Sequence, residues 1–182
     1  MKSRRALKTA LTRVGAVHLS GTAVRLVDEA WAGPDDLLSG EGAYRHGGRY
    51  NPPRSFRAVY LTENAAVGLA EIVYPLSAGG RFAVPGAKRI TVVPVTFNLT
   101  RVLNLCDFRV RIELGTDLEE ILLPLEPYEA KGEKAPTQRL GEVVGSAGWS
   151  GIQYPSRHDP KVCNLVVFPE NLRGEEILKS ES

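Results

Sequence analysis

The stretch "GAYRHGGRYNPPRSFRAVYLTENAAVGLAEIVYP", Gly42 to Pro75, decides the fold. It opens with a loop of glycine, arginine and proline. A run with strand character comes next ("FRAVYLT", through Val59, Tyr60 and Leu61), and then an apolar helical segment with a single mid-helix carboxylate, Glu71. Thr62 is the expected N-cap, Glu63 suits the first turn and Pro75 stops the helix. Apolar residues occupy nearly every angular position over 63–74, so this helix is expected to be buried on most sides. An ionised carboxylate there needs a partner or a cavity. Glu71 therefore either occupies the helix's one wet stripe or lines a cleft, matched by an arginine or by substrate hydroxyls.

In the loop, Gly47 and Gly48 allow close backbone approach to a ligand, and Pro52 and Pro53 stiffen its exit. With Arg45, Arg49 and Arg54 this makes a candidate phosphate clamp, because guanidinium grips phosphate oxygens bidentately. The alternative is a basic surface turn. The segment is neither a Rossmann GxGxxG nor a Walker loop.

Outward from this stretch, the 182 residues fit one domain, with a basic segment at 1–19 and a domain core at 20–170. A net charge of +2 is too small to imply nucleic-acid binding by itself. "MKSRRALKTALTR" is basic but has no apolar h-region, so it is expected to be a frayed first helix rather than a secretory signal. Cys106 and Cys163 stand singly in apolar surroundings and are expected to be buried thiols. No run reaches the ~20 apolar residues of a membrane span, and a soluble cytoplasmic protein is expected.

"GTAVRLVDEAW" reads as a first strand carrying Arg25. Residues 32–54 read as a long loop of turns. "KRITVVPVTFNL" and "RVLNL" are β-rich, with Pro94 marking an edge or bulge. "GTDLEEILLPL" is a short helix capped by Thr116 or Asp117. "EPYEAKGEKAP" is a charged connection. "TQRLGEVVGSAG" is a helix whose Leu140, Val143 and Val144 share a face. "GIQYPS" and "NLVVFP" are two strands joined by "RHDPKVC". The fold class expected is α+β, a mixed central sheet flanked by helices.

Ser156, His158 and Asp159 are too close in sequence to converge as a hydrolase triad, and no GxSxG occurs. Ser156 is then a turn residue or a hydroxyl at a pocket mouth. The three histidines lack metal-ligand spacing, so no metal is expected.

Taken together, "GGRYNPP" (Arg49), "VYLTENAAVGLAE" (Tyr60, Glu71) and "YPSRHDPKVCNLVVFP" (Ser156, Asn164) resemble the RES domain, a family named for its Arg, Glu and Ser. Positions 49, 60 and 71 stand eleven apart, as in that pattern, and Arg25 in "AVRLVD" is similar to its early arginine. The likeness spans residues 20–170. Tyr50 replaces the expected Trp or Phe, and Arg54 stands where glycine commonly comes after the prolines.

The resemblance implies a toxin of a toxin–antitoxin pair, with a fold similar to ADP-ribosyltransferase toxins. It implies an NAD+-consuming activity by phosphorolysis or hydrolysis of the nicotinamide–ribose bond, or ADP-ribosylation of a protein. NAD+ is then the substrate and inorganic phosphate a candidate co-substrate. The implied partner is an Xre-type antitoxin, with DNA reached only through it, no membrane, and a homodimer left open. In this scheme Glu71 stabilises the sugar cation, and Arg49 and Arg25 hold pyrophosphate or phosphate. Tyr60 packs on nicotinamide or ribose, and Ser156 and Asn164 orient the ligand. A non-catalytic module binding a phosphorylated ligand or RNA is the reading from another class.

Overall fold

The computed structural model describes residues 1–29, 32–70 and 89–180. The helical pattern at the N-terminus gives α1 (Arg4–Val14), capped by Ser3 and ended by Gly15 at φ 74°. Leu7, Ala10 and Leu11 lie one turn apart and are buried. The helix is therefore packed rather than frayed, contacting the late helix α8 (Pro136–Ser146) and α5 (Phe108–Leu114). In α8 the expected face of Leu140, Val143 and Val144 is fully buried.

The strands are β1 (Val17–Asp28), β2 (Val59–Thr62), β3 (Ile90–Asn104), β4 (Gly151–Pro155), β5 (Cys163–Val167) and β6 (Ile177–Ser180). They form a mixed sheet in the order β1-β2-β5-β4-β3-β6, and β1 also pairs along β3, so the first five strands close into a ring. The two β-rich stretches after residue 89 are one long strand. Pro94 lies within it opposite Val24. Inside the ring, Ala23, Val59, Leu61, Val95, Leu99, Val102, Leu165 and Val167 make one core. Outside it, α1 and α8 cover a second core that includes Tyr50, Leu103, Ile152 and Val166. The expected α+β architecture is present, with the sheet closed on itself.

Local differences have local causes. Residues 32–54 contain two short helices, α2 (Pro34–Leu37) and α3 (Glu41–His46), because Pro34 suits a first helical position and the Glu41–Arg45 pair at 2.8 Å bridges one turn. The connection at 126–133 holds a one-turn helix α7 (Glu126–Glu129), while α6 (Leu118–Leu122) is capped by Asp117 as expected. Helix α5 and strand β6 carried no distinct pattern in the sequence. Helix α4 is described over 65–70 and is capped by Asn64, whose Oδ1 accepts from the amides of Ala66 (2.9 Å) and Val67 (3.2 Å). Thr62, the expected cap, is instead the last residue of β2. Over 65–70 only Gly68 is buried, while Ala66 and Leu69 face solvent. The expectation of burial on most sides fails there, because an apolar sequence says nothing about how many partners the fold supplies. No helix among the described residues is long and apolar enough to cross a membrane.

Candidate functional site

The pairing of β1 with β2 creates the site by stopping short. Only Val24 and Thr62 are in register; the next antiparallel steps, which would bring Leu26 opposite Tyr60, are not made. Beyond that point β1 is held by β3, and β2 by β5. The splayed gap opens into two adjoining cavities that share Leu26, Gly47 and Tyr60. Alternation along β1 sends Val24 to the first cavity and Arg25 and Val27 to the second, with Leu26 reaching both.

The first cavity, about 290 Å³, is lined by Gly48, Arg49, Thr62, Gly68, Tyr154 and Asn164 besides the shared residues. Its wall is the glycine–arginine loop, which the structure shows to be a tight turn. The Gly48 amide donates to the Asn51 carbonyl at 2.8 Å, and the Asn51 amide returns a bond at 3.4 Å. Three side chains lock this turn. The Tyr60 hydroxyl accepts from the Tyr50 amide (2.9 Å) and donates to Asn51 Oδ1 (2.8 Å). Asn51 Nδ2 donates to the Ala43 carbonyl (2.7 Å), and Gln138 Nε2 donates to the Gly48 carbonyl (3.2 Å). Burial raises the Tyr60 phenol above its ordinary range, so the hydroxyl stays neutral and serves as donor and acceptor at once.

Glycine is required here by contact. A Cβ on Gly48 would stand 2.6 Å from the Tyr60 hydroxyl, and one on Gly47, at φ 78°, 2.8 Å from Pro53 Cδ. A Cβ on Gly141 would fall 1.7 Å from the Tyr50 carbonyl oxygen, so α8 lies directly against the turn. Gly68 likewise lets α4 touch Leu26 and Thr62.

Arg49 is held from behind: its Nη1 donates to the carbonyls of Ile121 (2.8 Å) and Leu123 (3.1 Å), at the end of α6. One guanidinium nitrogen is thereby fixed, and the charge is offset by carbonyl dipoles without a carboxylate partner among these bonds. Of the three loop arginines only Arg49 lines this cavity. Arg45 pairs with Glu41, and Arg54 sits at φ 59°, a left-handed conformation that accounts for the expectation of glycine there.

The second cavity, about 320 Å³, is lined by Arg25, Asp36, Gly42, His46 and Ala58 among others. The Arg25 Nε is buried and has no hydrogen-bond partner among the described residues. Burial pulls this guanidinium down to about 10.

Of the residues singled out in the sequence, Arg49, Tyr60 and Asn164 therefore share one cavity, and Arg25 meets Tyr60 in the next. Asn164 is paired in register to both Thr62 and Tyr154. Ser156 is fully buried just past β4; its Oγ accepts from the His158 amide at 3.2 Å, and it is not among the described residues lining either cavity. Glu71 lies outside the described residues. Sequence reasoning missed Asn51, Gln138 and Tyr154. The available signal was polarity in apolar company, since Gln138 is 3% exposed beside a core helix face. The two cysteines are half-buried free thiols, and burial raises both.

The chain and its fold are similar to those of known proteins. The RES domain description matches residues 22–181. The proteins named NAD(+) phosphorylase MbcT from Mycobacterium bovis and Mycobacterium tuberculosis are each 36% identical over 89 residues, 47% of this chain and 47% of each relative. The chain thus aligns with about half the length of these curated relatives. The solved M. tuberculosis MbcT–MbcA toxin–antitoxin complex matches 97% of this chain and 90% of that one, with TM-score 0.70 and 24% identity. That likeness is one of fold.

Proposed function

The chain belongs to the RES domain family, and from that premise we propose that it is a toxin that degrades NAD+ by phosphorolysis. The C1′–N bond to nicotinamide breaks, its electron pair neutralises the ring nitrogen, and a phosphate oxygen closes the new bond to C1′. The products are nicotinamide and ADP-ribose 1″-phosphate. Phosphate is preferred as acceptor over water or a protein side chain because the curated relatives are named phosphorylases.

The observation that carries this reading is the locked turn that presents Arg49 beside Tyr60 and Asn164, next to a compartment lined by a second arginine, Arg25, whose Nε is buried. A dinucleotide brings two phosphates and two riboses, and this wall offers guanidinium, amide and aromatic surface to them. In this scheme Arg49 holds pyrophosphate, the Tyr60 ring backs the ribose or nicotinamide, and Asn164 bonds a hydroxyl or the carboxamide. Glu71 is assigned from the sequence: departure of nicotinamide develops an oxocarbenium-like charge, which a preorganised carboxylate stabilises. Ser156, buried just past β4 and not among the described residues lining either cavity, orients the ligand indirectly in this scheme. A fold similar to ADP-ribosyltransferase toxins is part of the proposal, because those toxins break the same nicotinamide–ribose bond. The partner proposed is an antitoxin of Xre type that fills the cleft, with action in the cytoplasm.

The test is chromatography of NAD+ after incubation with the purified protein, with and without phosphate. ADP-ribose 1″-phosphate formed only with phosphate supports the proposal, and Glu71→Gln is expected to lower turnover by at least about a hundredfold. Intact NAD+ in both samples, or full activity in the glutamine variant, refutes it.

A further inference from the structure

Phosphorolysis of a dinucleotide needs two oxyanion sites, one for the substrate's own phosphates and one for the attacking phosphate. The gap between β1 and β2 supplies two compartments, with one arginine each among the described residues. They are not equivalent. Arg49 spends Nη1 on two backbone carbonyls, while the Arg25 Nε is buried with no partner among the described residues. A buried guanidinium nitrogen without an acceptor is costly, and an oxyanion would relieve that cost.

The second compartment also carries two kinds of group that are not among the described residues lining the first. His46, in the last residue of α3, adds a ring N–H donor, and Asp36 adds a carboxylate. A carboxylate repels a bare oxyanion, yet it accepts a hydrogen bond from one that retains a proton. Monohydrogen phosphate keeps a P–OH at neutral pH and sulfate does not. Arginine, histidine and aspartate around one small cavity therefore suit phosphate in particular.

We propose that the Arg25 compartment is a dedicated site for inorganic phosphate, with His46 as a binding residue and Asp36 as the residue that selects phosphate over sulfate. The proposal rests on the phosphorolysis reading. It places the acceptor on the far side of Leu26 and Tyr60 from the dinucleotide's phosphates. The attacking oxygen then reaches C1′ through the strand gap, while nicotinamide departs on the side of the first cavity.

The experiment is steady-state NAD+ cleavage with phosphate titrated, for the wild type, His46→Ala and Asp36→Asn. Both positions are exposed, so the fold survives these changes. Losing one hydrogen bond to a charged group is expected to raise the phosphate KM of His46→Ala about tenfold, with the NAD+ KM within about twofold. Asp36→Asn is expected to make sulfate a competitive inhibitor against phosphate, which it is not for the wild type. An unchanged phosphate KM in His46→Ala overturns the proposal. So does a rise in the NAD+ KM instead, since the compartment would then hold the dinucleotide. If the wild type leaves NAD+ intact, the phosphorolysis reading fails separately. Calorimetric titration with inorganic phosphate alone then decides the site: binding lost in His46→Ala supports it, and no binding to the wild type overturns it.

Discussion

Replacing Tyr60 by Phe separates a scaffolding hydroxyl from a catalytic one. The hydroxyl accepts from the Tyr50 amide at 2.9 Å and donates to Asn51 Oδ1 at 2.8 Å, and both Tyr50 and Asn51 are fully buried. Phe fills the same space but leaves one amide and one carbonyl oxygen unpaired away from water. Each such group costs about 1–3 kcal/mol, so the variant is expected to lose about 2–6 kcal/mol. For a chain of this size that corresponds to a fall in Tm of roughly 10 °C. The turn that carries Arg49 loosens with it, so the NAD+ KM rises more than kcat falls. Gly48→Ala is expected to reproduce both effects, because its Cβ would displace the same hydroxyl from 2.6 Å away. Thermal melts by circular dichroism and initial-rate measurements on the two variants decide the matter. A Tyr60→Phe protein that melts within about 2 °C of wild type but loses nearly all kcat would refute the reasoning, since the hydroxyl would then act in the chemistry and not on the loop.

Arg54→Gly is expected to stabilise the protein by about 0.5–1 kcal/mol, because a left-handed φ of 59° strains any residue with a Cβ; a lower urea midpoint would contradict this. Glu176, whose carboxylate is 1% exposed, is raised by burial but pulled down more strongly by hydrogen bonds from Ser150, Arg101, Thr100 and Arg173, reaching about 2. Its folded value lies below its unfolded one, so its contribution is complete above about pH 4.5 and disappears as pH falls towards 2, amounting to about 3 kcal/mol. Urea midpoints measured from pH 6 to 2.5 should therefore drop more steeply for the wild type than for Glu176→Gln; parallel curves would show that this network does not govern the acid limb.

Much of the fold was legible locally. Alternation and β-branched composition marked β1, β2, β4 and β5, and the spacing of Leu140, Val143 and Val144 marked α8, because these patterns report which face meets the core. Helix α5 escaped notice because its exposed Phe108 and Ile112 blur the apolar periodicity, and β6 because its four residues alternate weakly. Thr62 lost the capping role to Asn64, because β2 runs through residue 62 and claims that backbone for pairing with β5. The glycine–arginine turn singled out Arg49 by its local chemistry, while Arg25, Tyr60 and Asn164 were singled out by the resemblance to the RES domain.

The ring was contained in no local pattern. Closure of β1 onto β3 spans some seventy residues of sequence, and it draws β1 away from β2 after a single pair. That competition for β1 opens the gap, divides it at Leu26 and Tyr60, and puts the two arginines in separate compartments. The sequence determined which groups are present, because side-chain chemistry is written residue by residue. Only the tertiary structure decided which of them share a wall, because that depends on how many hydrogen-bonding edges each strand can satisfy at once.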